Sequence, residues 1–123
     1  MEPTRKRILC IEDDDDTCQF MTCLLELSNY EAKTAKTVAE GLRLANSEPF
    51  DLYLLDNMLP DGTGLELCLK IRSLDQHTPI LFLSGSAQQE DRQQALDAGA
   101  QVYLSKPSDP EELMRVISQL LLN

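Results

Sequence analysis

Three acids and one lysine carry the chemistry in this sequence. Glu12 and Asp13 follow the apolar run Ile8–Ile11, Asp56 follows Leu52-Tyr53-Leu54-Leu55, and Lys106 follows the run that starts at Val102. Adjacent carboxylates repel each other unless a cation joins them. Three that converge on one point form a hard, oxygen-rich site suited to Mg²⁺. Asp56 is badly placed to cap the next helix, which starts only beyond Pro60-Asp61-Gly62-Thr63-Gly64, so its carboxylate is expected to face a crevice. Lys106 precedes Pro107, and a residue before proline is held extended. An X-Pro bond also reaches the cis form at modest cost. Either would aim the ammonium across the crevice as a counter-charge. Ser84, at the end of the run Ile80–Leu83, is a hydroxyl free to face the same site, because Ser86 with Gln89 is available to cap the following helix.

The elements that must hold these residues are legible from periodicity. Strands are expected over Ile8–Ile11, Tyr30–Ala35, Leu52–Leu55, Ile80–Leu83 and Val102–Leu104. Four are nearly continuous apolar runs, as a parallel strand covered on both faces requires. The second is diluted by Glu31, Lys33 and Thr34 and reads as an edge strand. Helical spacing appears in Phe20, Leu24 and Leu27, and again in Leu65, Cys68 and Ile71 with Leu67. Thr37-x-x-Glu40 is a capping box, and Gly99 closes a helix around Glu90–Ala98. Asp109, Pro110 and Glu112 open the last helix, whose buried stripe is Leu113, Val116, Ile117 and Leu120. In the acidic block, Asp14, Asp15 and Asp16 read as a solvated helix start with Asp15 as N-cap.

Five strand–helix repeats imply an α/β fold: a doubly wound parallel sheet of five strands with helices on both faces. Such sheets bind ligands at the carboxyl ends of their strands, where Glu12, Asp13, Asp56, Ser84 and Lys106 all fall. The 123 residues fit one domain, 1–123. A net charge of −10 argues against nucleic acid as a direct partner. Four cysteines with no Cys-x-x-Cys pair, and a single histidine (His77), supply no zinc site. They read as reduced thiols that pack as small apolar groups. The apolar run after Arg5, Lys6 and Arg7 stops at Ile11, so no signal peptide, no membrane insertion and a cytoplasmic location are expected.

With these residues in place, the chain closely resembles the receiver domain of two-component response regulators over essentially its full length. The matching motifs are Glu12-Asp13, Asp56, Ser84 and Lys106-Pro107, with Pro60, Gly64 and Tyr103 at the family's positions. The resemblance implies a flavodoxin-like (βα)5 fold of strand order 2-1-3-4-5. It implies Asp56 as phosphoacceptor, with Mg²⁺ (Mn²⁺ as substitute) held by Asp13, Asp56 and the main-chain carbonyl of Met58, and by Glu12 through water. Ser84 and Lys106 would contact phosphoryl oxygens, and Tyr103 would be a switch aromatic that swings inward as Ser84 moves. The implied donor is a phosphohistidine of a sensor histidine kinase or a histidine phosphotransfer protein. The implied output is a downstream protein docking on the face of the fourth helix, fifth strand and fifth helix. Such a protein catalyses only its own phosphorylation and dephosphorylation.

A receiver cut from a hybrid kinase or a multidomain regulator would read the same way. An aspartyl-phosphate phosphatase would need a second Asp where Met58 stands, and a flavin carrier would need a Gly/Ser/Thr-rich loop after the first strand. Met58 has no polar head to orient an attacking water, so slow loss of the phosphoryl group is expected.

Overall fold

Successive side chains of a strand point to opposite faces, and here both faces are apolar. Ile8 and Cys10 lie in one core with Leu52, Leu54, Leu81 and Leu83, while Leu9 and Ile11 lie in another with Tyr53, Leu55, Ile80 and Phe82. A computed structural model describes residues 5–85, 88–106 and 109–122. Its elements run β1 (Arg7–Ile11), α1 (Asp15–Leu27), β2 (Glu31–Ala35), α2 (Val38–Ser47), β3 (Leu52–Leu55), β4 (Met58–Leu59), β5 (Gly62–Thr63), α3 (Gly64–Leu74), β6 (Ile80–Ser84), α4 (Gln89–Asp97), β7 (Val102–Ser105) and α5 (Pro110–Leu121).

The main sheet is parallel, in the order β2-β1-β3-β6-β7, with β2 at one edge as its composition predicts. Counted along the five main strands, this is the order 2-1-3-4-5. Helices α1 and α5 cover one face through Met21, Leu25, Leu113 and Ile117. Helices α2 and α3 cover the other through Val38, Leu44, Leu67, Cys68 and Ile71. The register sets Ile11 beside Leu55, and Ser84 beside Ser105. The residues that follow these pairs therefore emerge together at the carboxyl end of the sheet.

The predicted caps hold for three helices. Glu40 N–H donates to Thr37 Oγ1 at 3.0 Å, and the Glu40 carboxylate accepts from Lys36 N at 2.9 Å. Asp109 accepts from Glu111 N at 3.0 Å, with Pro110 in the first turn. Gly99 takes φ 112° just past α4, a conformation open to glycine.

Two expectations change. Asp14, not Asp15, caps α1: its carboxylate accepts from Thr17 N at 2.9 Å and from the Thr17 hydroxyl at 2.7 Å. The buried stripe of α1 is Cys18, Met21 and Leu25, whereas Phe20 and Leu27 are exposed. The helix carries two overlapping apolar stripes, and the one with the smaller and more adaptable Cys and Met faces the sheet. A short antiparallel ribbon, β4 with β5, was not anticipated; it stands between β3 and α3.

Candidate functional site

Glu12 continues β1, its N–H bonded to Ala35 O at 2.9 Å, and its side chain is almost fully buried at 5% exposure. One carboxylate oxygen accepts from Asp14 N at 3.2 Å. The other meets the Lys106 ammonium at 2.6 Å. Asp13 is exposed beside it. Asp56 N donates to Ile11 O at 3.0 Å, which places it next to Glu12 on the adjoining strand. Its Oδ1 accepts from Asn57 N at 2.8 Å and lies 3.5 Å from Lys106 Nζ. Carboxylate oxygens of Glu12, Asp13 and Asp56 all lie within 4.8 Å of one another.

Lys106 is anchored by its own backbone, whose N–H donates to Ser84 O at 2.6 Å. Burial pulls its ammonium toward neutrality, but the hydrogen bond to Glu12 and the charges of Asp56 and Glu12 outweigh this, so its pKa is raised. The lysine stays charged at neutral pH. Three carboxylates against one ammonium leave two negative charges uncompensated, and the donors are all hard oxygens; this set fits a divalent cation such as Mg²⁺.

Ser84 is fully buried at the end of β6. Tyr103 is already inward, 2% exposed, with its ring stacked on Phe82 at a centroid distance of 6.0 Å. Arg92 of α4 donates to the Tyr103 carbonyl at 3.4 Å. The Met58 side chain is 65% exposed while its backbone is held in the ribbon. Pro107, and with it the cis peptide considered above, lies outside the described residues, as does Ser86. The expected cap at Ser86 is not borne out: α4 starts at Gln89, with Gln88 at the N-cap position and no side-chain cap hydrogen bond. The structure thus gathers Glu12, Asp13, Asp56 and Lys106, with Ser84 one hydrogen bond away through the Lys106 backbone and Tyr103 one strand pair from Phe82.

Gly64 bears on the site in a way the sequence did not reveal. A Cβ there would stand 2.1 Å from the Asp56 carbonyl oxygen, so α3 begins against the backbone of Asp56 itself. Gly64 N donates to Asn57 O at 2.8 Å, and Thr63 caps the helix through Glu66 N at 3.1 Å. Only a residue without Cβ permits this approach.

A model of the response regulator receiver domain matches residues 8–118. The chain belongs to that family. Over 115 residues this receiver domain is 39% identical to the response regulator ArlR of Staphylococcus saprophyticus, and equally to ArlR of Staphylococcus aureus, covering 94% of this chain. It spans 52% of those relatives, about half their length. Among solved structures it is similar to a CheY-like receiver domain protein from Methanospirillum hungatei (TM-score 0.92, 36% identity, 96% of this chain and 94% of that one). It is also similar to a two-component response regulator from Clostridium difficile (TM-score 0.93, 30% identity, 97% and 98% covered). Receiver domains bind Mg²⁺ at an acidic pocket, and in this receiver domain the acidic cluster stands at the ends of β1 and β3. No helix among the described residues is long and apolar enough to cross a membrane.

Proposed function

We propose that this receiver domain accepts a phosphoryl group on Asp56 from the phosphohistidine of a sensor histidine kinase or a histidine phosphotransfer protein. The observation that carries the reading is the lysine bridge: one ammonium within 2.6 Å of Glu12 and 3.5 Å of Asp56, beside an exposed Asp13. Mg²⁺ would be held by Asp13, Asp56 and the Met58 carbonyl, and by Glu12 through water, with Mn²⁺ as a substitute. When bound, it supplies charge neutralisation for the transferred group.

A carboxylate is a weak nucleophile, so the step depends on position and charge. An Asp56 oxygen bonds to phosphorus as the P–N bond breaks, and the imidazole leaves with the electron pair. Lys106 is fixed at its backbone by Ser84 O, and its ammonium, now on Glu12 and near Asp56, would exchange these contacts for a phosphoryl oxygen. The Ser84 hydroxyl donates to another. Exposed Phe20, which lines a pocket with Lys106, and exposed Met58, two residues past Asp56, offer apolar contact to an incoming donor protein.

Phosphorylation adds roughly one and a half to two negative charges. Drawing Ser84 toward that charge shifts the Ser84–Tyr103 region and the face of α4, β7 and α5, where a downstream protein would dock. The chain's own chemistry is then limited to its phosphorylation and dephosphorylation, in the cytoplasm where the kinase acts. Incubation with a small phosphodonor and Mg²⁺, followed by intact mass, tests the reading. The wild type should gain one phosphoryl group and Asp56→Asn none; equal uptake by both would sink it.

A further inference from the structure

The ribbon that carries Met58 pairs only two residues with two, too few to hold itself in water. Beyond the bond from Gly64 N to Asn57 O that closes its base, side chains hold it. Leu59 is 7% exposed and lies in the same core as Val38. Asp61 reaches across to α2, where its carboxylate accepts from Val38 N at 2.7 Å and from Ala39 N at 3.1 Å. These are first-turn amides that a helix leaves without partners. Thr37 takes the third, from Glu40, so two residues from different parts of the chain share one helix start. Between them Gly62 lies tight: a Cβ there would come within 3.2 Å of Val38 Cγ2 and of Glu66 Oε2.

We infer that Asp61 is a positioning residue for the metal site, holding the Met58 carbonyl in place by clamping the ribbon to the N-terminus of α2. The inference rests on the proposed role of that carbonyl as a ligand. Two bonds to consecutive amides fix both where the loop sits and which way it faces. The Met58 side chain, being exposed, adds no anchor of its own. The hydrogen bond from Val38 N, followed by that from Ala39 N, also holds the Asp61 carboxyl below its ordinary pKa, so the clamp is ionised at neutral pH.

A helix cap alone would give Asp61 the same contacts, so the test must separate a cap from a clamp. Thr37→Ala removes a cap from the same helix without touching the ribbon. Mg²⁺ affinity of the unphosphorylated protein is measured by calorimetric titration for wild type, Asp61→Ala, Asp61→Asn and Thr37→Ala. Asp61→Ala should weaken binding about tenfold, as loss of a ligand's supporting partner does. Asp61→Asn, which keeps one acceptor oxygen and the side-chain shape, should fall between, and Thr37→Ala should match wild type. In metal-free protein, amide exchange across residues 58–63 should quicken in Asp61→Ala but not in Thr37→Ala. Wild-type affinity in Asp61→Ala, or an equal loss in Thr37→Ala, would overturn the inference. Absence of Mg²⁺ binding in the wild type would instead overturn the reading of the site on which it rests.

Discussion

Lys106 Nζ lies 2.6 Å from Glu12 Oε1, an ion pair that joins the carboxyl ends of β7 and β1 across two intervening strands. Glu12 is the more buried partner, so its charge depends on the lysine more than the lysine depends on it. Without divalent metal, Lys106→Met should lower stability by about 2 kcal/mol, the scale of a lost hydrogen bond to a charged group. Urea denaturation with chelator reads this, and an unchanged midpoint would contradict it. Added Mg²⁺ should restore part of the loss, since a cation takes over the same charge.

The two glycines near the site should respond in opposite ways. Gly64→Ala forces a Cβ against the Asp56 carbonyl and should cost about 1–3 kcal/mol, as overpacking does, while displacing Asp56 and slowing phosphorylation. At Gly85 nothing among the described residues lies within 4 Å of an added Cβ. Gly85→Ala should be neutral or stabilise by up to about 1 kcal/mol through the unfolded chain. Thermal melts of the pair decide this; equal effects would mean that the close approach at Gly64 is not real.

These glycines also mark what the sequence conveyed. Four of the five main strands were legible because both faces of a covered strand are apolar, and the acids and lysine because they follow such runs. The caps at Thr37 and Asp109 were legible because their residue types fit one position only. Asp14 was not separable from Asp15 by type, since the choice depends on the Thr17 contacts and on Glu12 accepting Asp14 N. The spacing Phe20, Leu24 and Leu27 found the helix but not its buried stripe: Leu24 packs partly against the core, Phe20 and Leu27 are exposed, and Cys18, Met21 and Leu25 are buried. The β4–β5 ribbon is too short to leave a period. The reason for Gly64 exists only in three dimensions.

Asp13→Asn should weaken Mg²⁺ binding by at least about tenfold, because the neutral amide is a poor ligand for a hard cation. Calorimetric titration measures it. Unchanged affinity would remove Asp13 from the ligand set.

Asp75 provides a pH-dependent contribution remote from the site. Burial pushes its carboxyl up, but bonds from the Thr78 hydroxyl, His77 N and Thr78 N outweigh that and leave its pKa lowered. A depressed carboxyl stabilises the fold above its unfolded value and loses that contribution as pH falls through the folded one. Asp75→Ala should therefore cost about 1 kcal/mol at neutral pH, the net worth of such hydrogen bonds. The gap to wild type should close as pH drops below the ordinary Asp value of 3.8. A gap that stays constant into acid would refute the assignment.

The exposed Met58 thioether cannot orient a water toward an acyl phosphate, so the phosphoryl group should persist for minutes or longer. Met58→Gln should shorten its lifetime. A wild-type half-life of seconds, followed by mass after donor removal, would contradict this account.

Borohydride reduction of the phosphorylated protein tests the central claim most directly, because it converts an aspartyl phosphate to homoserine at the acceptor itself. Peptide mapping should then find homoserine at position 56 and nowhere else. Homoserine at Asp13 or another acid, with Asp56 intact, would contradict it.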